Sequence, residues 1–174
     1  MREMRLVGQS MVQYNGDYDL GGLYKLITGW LMDRGYEFQD KRFKEKEDLA
    51  EGNYMKLDFT GRKKETAYTR LWMFLRIRIW EKKDEERIVD GEKKLITGGR
   101  IIIRIQGKVE FDWQDRFTGT KFREVLGSFY NWVMKKEHEI LHVDRQEYEV
   151  LKLEYAIKKF LKMETGTHAY DYDH

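Results

Sequence analysis

The 174-residue chain contains no cysteine, which excludes disulfides, thiolate catalysis and Cys-ligated zinc or iron–sulfur centres. Proline is also absent, so turns fall to Gly, Asn and Asp. No apolar run approaches the roughly 18 residues needed to span a bilayer. Met1 to Val7 carries Arg2, Glu3 and Arg5 with no apolar stretch behind it, so no signal peptide is expected and the chain reads as cytoplasmic. Ser10 and Ser128 are the only serines, and neither lies in a nucleophile elbow, which argues against a serine hydrolase. Gly21-Gly22 lacks the Lys-Ser/Thr of a phosphate loop. Nor does charge of one sign dominate. Thirty-three basic and 31 acidic residues leave a net charge of +2, so no whole-molecule field draws in nucleic acid or membrane, and such a partner would need a local patch.

What is present is a dense alternation of apolar and charged residues. Asp19 has the character of a helix N-cap. Leu20, Leu23, Tyr24, Ile27 and Leu31 follow at helical spacing beside Trp30, with Gly35 at the C′ position, so a helix is predicted over Asp19–Arg34. Strands are predicted at Met4–Tyr14, closed by an Asn15-Gly16 turn, and at Tyr36–Lys46, Tyr54–Phe59, Tyr68–Lys82 and Arg100–Trp113. Leu71, Met73, Leu75, Ile77 and Ile79 fall on one face of the fourth, and Ile101, Ile103, Ile105, Val109 and Phe111 on one face of the fifth. Asp90-Gly91 and Gly98-Gly99 signal turns in a long charged connection, read as a ragged hairpin tip.

The last third reads as helical. One apolar stripe runs through Phe122, Val125, Leu126, Phe129, Trp132, Val133 and Ile140, and a second through Val150, Leu151, Leu153, Ile157, Phe160 and Leu161. A single helix over the whole stretch would exceed the diameter of the domain. A break near Val143 is therefore expected, with Asp144 and Glu147 as a variant capping box. Residues 165–174 have no periodicity and are expected to form a disordered tail. The fold predicted over 1–164 is one α+β domain: an antiparallel sheet of four to five strands, with one N-terminal helix and two C-terminal helices on its apolar face.

Two constellations could carry function. His138-Glu139-Ile140-Leu141-His142 matches H-E-x-x-H, which on a helix sets two imidazoles at i and i+4 to hold zinc, with the Glu activating water. The flanking Lys135, Lys136 and Glu137, and the absence of a marked third ligand, favour a solvated helix instead. No metal, cofactor or catalytic residue is therefore assigned, and the chain is expected not to be an enzyme.

The second constellation is the polar side of the sheet. Arg70, Trp72, Phe74, Arg76, Arg78 and Trp80 share one side of a strand, and antiparallel pairing would bring Arg100, Arg104 and Lys108 beside them. Cations interleaved with rings suit RNA, neutralising phosphates while bases stack. The sites expected to bind nucleic acid are thus Arg70, Trp72, Arg76, Arg78, Trp80, Arg100, Arg104 and Lys108. A protein interface on the same residues, or a helix covering them, are the competing readings. The apolar surplus of the C-terminal helices, with Trp132, Tyr148 and Tyr155 additional to the stripes, suggests a homodimer.

Asp19-Leu20-Gly21-Gly22-Leu23-Tyr24-Lys25, followed by Trp30-Leu31 and Gly35-Tyr36, resembles the opening of an uncharacterised archaeal α+β protein family. The order of helix, charged strands and paired C-terminal helices is similar over most of the chain. The resemblance implies a cytoplasmic α+β protein, carries no activity or catalytic residue, and implies that H-E-x-x-H is not part of the shared pattern.

Overall fold

The computed structural model describes residues 3–46, 53–89, 92–114, 121–123, 125–129 and 139–163. Among the described residues, five strands form one antiparallel sheet: β1 (Glu3–Tyr18), β2 (Glu37–Lys46), β3 (Asn53–Lys64), β4 (Thr69–Val89) and β5 (Glu92–Phe111). Their spatial order is β1-β5-β4-β3-β2. Strands β2 to β5 form a meander, and helix α1 (Leu20–Asp33) carries the chain from β1 on one edge to β2 on the other. The second long helix, α2 (Arg145–Phe160), follows a π-helical turn at Glu139–Asp144.

Helix α1 forms as its sequence dictates. The Asp19 carboxylate accepts a hydrogen bond from the Gly22 amide at 2.7 Å, satisfying a donor that the first turn leaves orphaned. At the other end Gly35 adopts φ +77, and Tyr36 N–H donates back to the Leu31 carbonyl, so the glycine ends the helix in the left-handed region. Leu23, Ile27 and Leu31 are fully buried against the sheet.

The core lies on one side of the sheet. Leu71, Met73, Leu75, Ile77 and Ile79 of β4 and Ile101, Ile103, Ile105 and Val109 of β5 are all buried, as period-2 alternation requires. Val150, Leu153 and Ile157 of α2 close over them.

Helix α2 seats on a saddle of two glycines. Gly8 and Gly107 are cross-strand partners. A Cβ on Gly107 would stand 2.7 Å from Val150 Cγ2, and one on Gly8 would stand 3.2 Å from the Glu147 backbone. Gln146, fully buried beside them, donates to the Trp72 carbonyl at 2.9 Å and accepts from the Tyr36 hydroxyl at 2.7 Å. One amide thus ties the helix, the sheet and the start of β2 together.

Several expectations are corrected. Asn15-Gly16 is no turn, because β1 runs on to Tyr18 with Gly16 opposite Gly99. The Gly98-Gly99 pair likewise lies within β5. The register shifts there between Trp80 and Lys83, Glu81 has φ 55 and Gly99 φ +136, and a Cβ on Gly99 would stand 2.6 Å from the Trp80 carbonyl oxygen. These are the marks of a bulge that bends the hairpin. The charged connection is therefore paired strand out to Val89 and Glu92, while Asp90 and Gly91 lie outside the described residues.

Asp144 has helical dihedrals and makes no capping hydrogen bond. The π-helical turn runs directly into α2, and no capping box starts a new helix there. The first C-terminal stripe does not join the core where it is described: Phe122, Val125, Leu126 and Phe129 are exposed. The predicted tail lies outside the described residues.

Candidate nucleic-acid interface

Both α1 and α2 pack on the apolar side of the sheet; on the other side Arg76, Arg100 and Arg104 are exposed and Trp72, Phe74, Arg78, Trp80 and Lys108 are half-buried. Antiparallel register sorts that open face into rows. One row joins Leu6, Lys108, Trp72 and Arg62. The next but one joins Met11, Arg104, Arg76 and Asp58, and then come Ile102, Arg78 and Lys56, followed by Arg100 and Trp80. All eight residues singled out from the sequence share this face.

They divide into two kinds. Arg78 is held inward, its guanidinium 2.8 Å from the Asp58 carboxylate and 2.9 Å from the Ile77 carbonyl. Arg70 is largely buried, 3.5 Å from Glu110 and 4.1 Å from the Trp113 ring centroid. The Trp72 indole N–H donates to the same Glu110 carboxylate at 2.6 Å. Glu110 alternates with the core residues of β5 and so falls on the polar side, yet it is 0% exposed. Arg70 and Trp72 enclose it, so it serves as an internal counter-ion at one end of the face.

Arg76, Arg100 and Arg104 are exposed, and no carboxylate among the described residues lies within ion-pair distance of them or of Lys108. Arg76 and Arg104 are direct cross-strand partners. Like charges placed opposite each other in a sheet destabilise it, so the pair is a local conflict that folding alone does not call for.

Aromatic rings flank this centre. Trp72 and Phe74 stack with centroids 5.8 Å apart and planes 8° apart, with the Lys108 ammonium 5.1 Å from the Phe74 centroid. Towards the other end, Tyr54 and Trp80 lie 5.6 Å apart and the Arg100 guanidinium stands 5.3 Å from the Trp80 centroid. From Phe74 to Trp80 is about 20 Å along the strand at ~3.3 Å per residue.

The sheet order adds cations that strand-by-strand reading did not assign. Lys56 lies opposite Arg78, and Lys44 of β2 opposite Lys56. The alternation of Tyr54, Lys56 and Asp58 was the available signal, but it does not say which strand pairs with which.

The H-E-x-x-H segment lies only partly within the described residues. His138 lies outside them, and Glu139 to His142 form a π-helical turn in place of the α-helical geometry that i, i+4 ligation uses. Among the described residues no group of three or more His, Asp or Glu is placed to hold a metal ion. No protein-family model matches the chain, and no curated protein matches it.

Proposed function

We propose that the protein is a non-enzymatic binding protein whose open sheet face docks on single-stranded RNA, free or displayed on a ribonucleoprotein. The observation that carries this reading is the Arg76–Arg104 pair: two exposed cations held side by side by strand register with no carboxylate partner among the described residues. A polyanion resolves that repulsion. Arg100, Lys108 and Lys56 extend the charge along the face, and the Trp72–Phe74 and Tyr54–Trp80 pairs stand where bases could stack. Arg70 and Arg78, fixed by Glu110 and Asp58, hold the platform in shape and contribute less charge to a ligand. Near-neutral net charge confines the attraction to this face.

Fluorescence anisotropy with a labelled unstructured RNA, at 50–100 mM salt, tests the proposal in a regime where phosphate contacts are strong. The wild-type protein should bind, and Arg76→Glu with Arg104→Glu should abolish binding while leaving the fold intact. If the wild type does not bind RNA, or the double variant binds equally well, the reading fails. A protein captured by the same face would then take its place, with Trp80 as anchor.

A further inference from the structure

The two edges of the sheet are not alike. On one side lies β2, whose sequence Glu37–Lys46 carries a charge at seven of ten positions. Both edge strands carry a register shift, β2 between Asp40 and Arg42 and β1 between Leu6 and Gly8, so what separates them is charge, a device that keeps an edge from pairing with another chain. On the other side lies β1, with no described residue pairing along its outer edge. From Leu6 to Gly16 it holds eleven consecutive residues without a charge, in a chain that is 37% charged. It has no Lys and no Pro. Where it borders the open face it exposes Met4, Leu6 and Met11. An edge this long, uncharged and partly apolar offers unpaired backbone groups to an incoming strand.

We infer that β1 pairs antiparallel with β1 of a second copy, joining two five-stranded sheets into one continuous sheet across a twofold axis near Met11. The strand is suited to itself. Met11 is the midpoint of the uncharged run, so self-pairing about it sets no like charges opposite each other over that length. Beyond the run, Arg5 is ion-paired with Glu3 and Asp17 with Arg87 within each copy, so the ends bring no unpaired like charges together. Past the register shift at Leu6/Gly8, the regular stretch from Gly8 to Gly16 spans about 30 Å at ~3.3 Å per residue, long enough for a ladder of main-chain hydrogen bonds. The Met11 side chain would be covered by its counterpart. A twofold axis perpendicular to the sheet leaves both open faces on the same side, so the two cationic centres become one surface. The inference stands on the edge itself and does not depend on what that surface binds.

Light scattering on the full chain at tens of micromolar tests it, with amide hydrogen exchange over residues 6–16 as the second measurement. The expected mass is twice the 21.2 kDa of one chain, and exchange in the segment should slow as concentration rises. Met11 is 48% exposed, so Met11→Lys fits sterically, adds a cation opposite Arg104 at a modest cost, and sets an ammonium beside its twin. It should halve the mass and remove the concentration-dependent protection without changing the circular dichroism spectrum. Leu126→Lys, on the exposed helical stripe, should leave the mass doubled. A monomeric wild type, a dimer that survives Met11→Lys, or one that dissociates on Leu126→Lys while β1 exchange shows no concentration dependence would each overturn the inference. Should Met11→Lys fail to fold, the exchange data on the wild type decide alone: protection independent of concentration refutes it.

Discussion

Replacing Arg76 by Gln should make the protein slightly more stable, which is unusual for a substitution within a central strand. Arg76 and Arg104 are cross-strand partners, so their Cβ atoms lie about 4.5–5.5 Å apart. Two unit charges some 6 Å apart in a largely aqueous environment repel by about 0.7 kcal/mol. Asp58, opposite Arg76 on the other side, offsets part of this, but its carboxylate is engaged by Arg78 at 2.8 Å. A net gain of about 0.5 kcal/mol follows, within the range for cross-strand pairs, and in a domain of this size it raises the melting temperature by about 1–2 °C. The gain should shrink with salt, because the screening length falls from about 10 Å at 0.1 M to about 3 Å at 1 M. Calorimetric melts of both proteins at the two salt concentrations read it directly. A loss of more than about 1 kcal/mol at low salt, outside the usual surface range, would mean that Arg76 is structurally engaged and would remove the reason for assigning it a ligand. A gain unaffected by salt would refute the electrostatic argument.

Further outcomes follow from the buried polar groups and the glycine saddle. Glu110→Leu should destabilise by about 2–4 kcal/mol in denaturant titration, because it strands the Trp72 indole N–H and the nearly buried Arg70 guanidinium. Gly107→Ala should cost about 1–3 kcal/mol by forcing Val150 and Gln146 away from the sheet. Burial raises the Tyr18 and Tyr36 phenols well above their ordinary value, with Asp84 adding to the effect at Tyr18. The folded state therefore keeps protons that the unfolded state loses, and stability should fall as pH rises through the ordinary phenol value near about 10. Ultraviolet titration should show these two tyrosines ionising only as the protein unfolds; normal titration of all the phenols before unfolding would contradict their burial.

Much of the fold could be read from local pattern. Asp19 and Gly35 mark the ends of α1 because capping chemistry is short-range. The inward faces of β4 and β5 are legible because alternation has a fixed period. What could not be read depends on pairing between distant segments. Asn15-Gly16 has the chemistry of a turn, but the sheet extends it as strand and sets Gly16 against Gly99. Gly8 and Gly107 look unremarkable until register makes them neighbours under Val150. Glu110 alternates with the core residues, a pattern that points to solvent, but Arg70 and Trp72 fold over it. The open face was legible as a composition, since the alternation of β4 and β5 lines up its arginines. Which of them remain available was not, because that depends on where Asp58 and Glu110 sit. The basis for the π-helical turn before α2 lies in no local signal we can identify.

The most direct test of the central claim is the salt dependence of RNA affinity. If Arg76, Arg100, Arg104, Lys56 and Lys108 each neutralise one phosphate, log affinity for a single strand should fall with log salt at a slope of about −3.5, from about −0.7 per contact. Arg104→Gln should weaken binding and reduce the slope by about 0.7. Trp80→Ala should weaken binding by about 1–3 kcal/mol with the slope unchanged, as expected for lost stacking. A slope near zero in the wild type, or one that Arg104→Gln leaves unchanged, would contradict the assignment of this face to a polyanion.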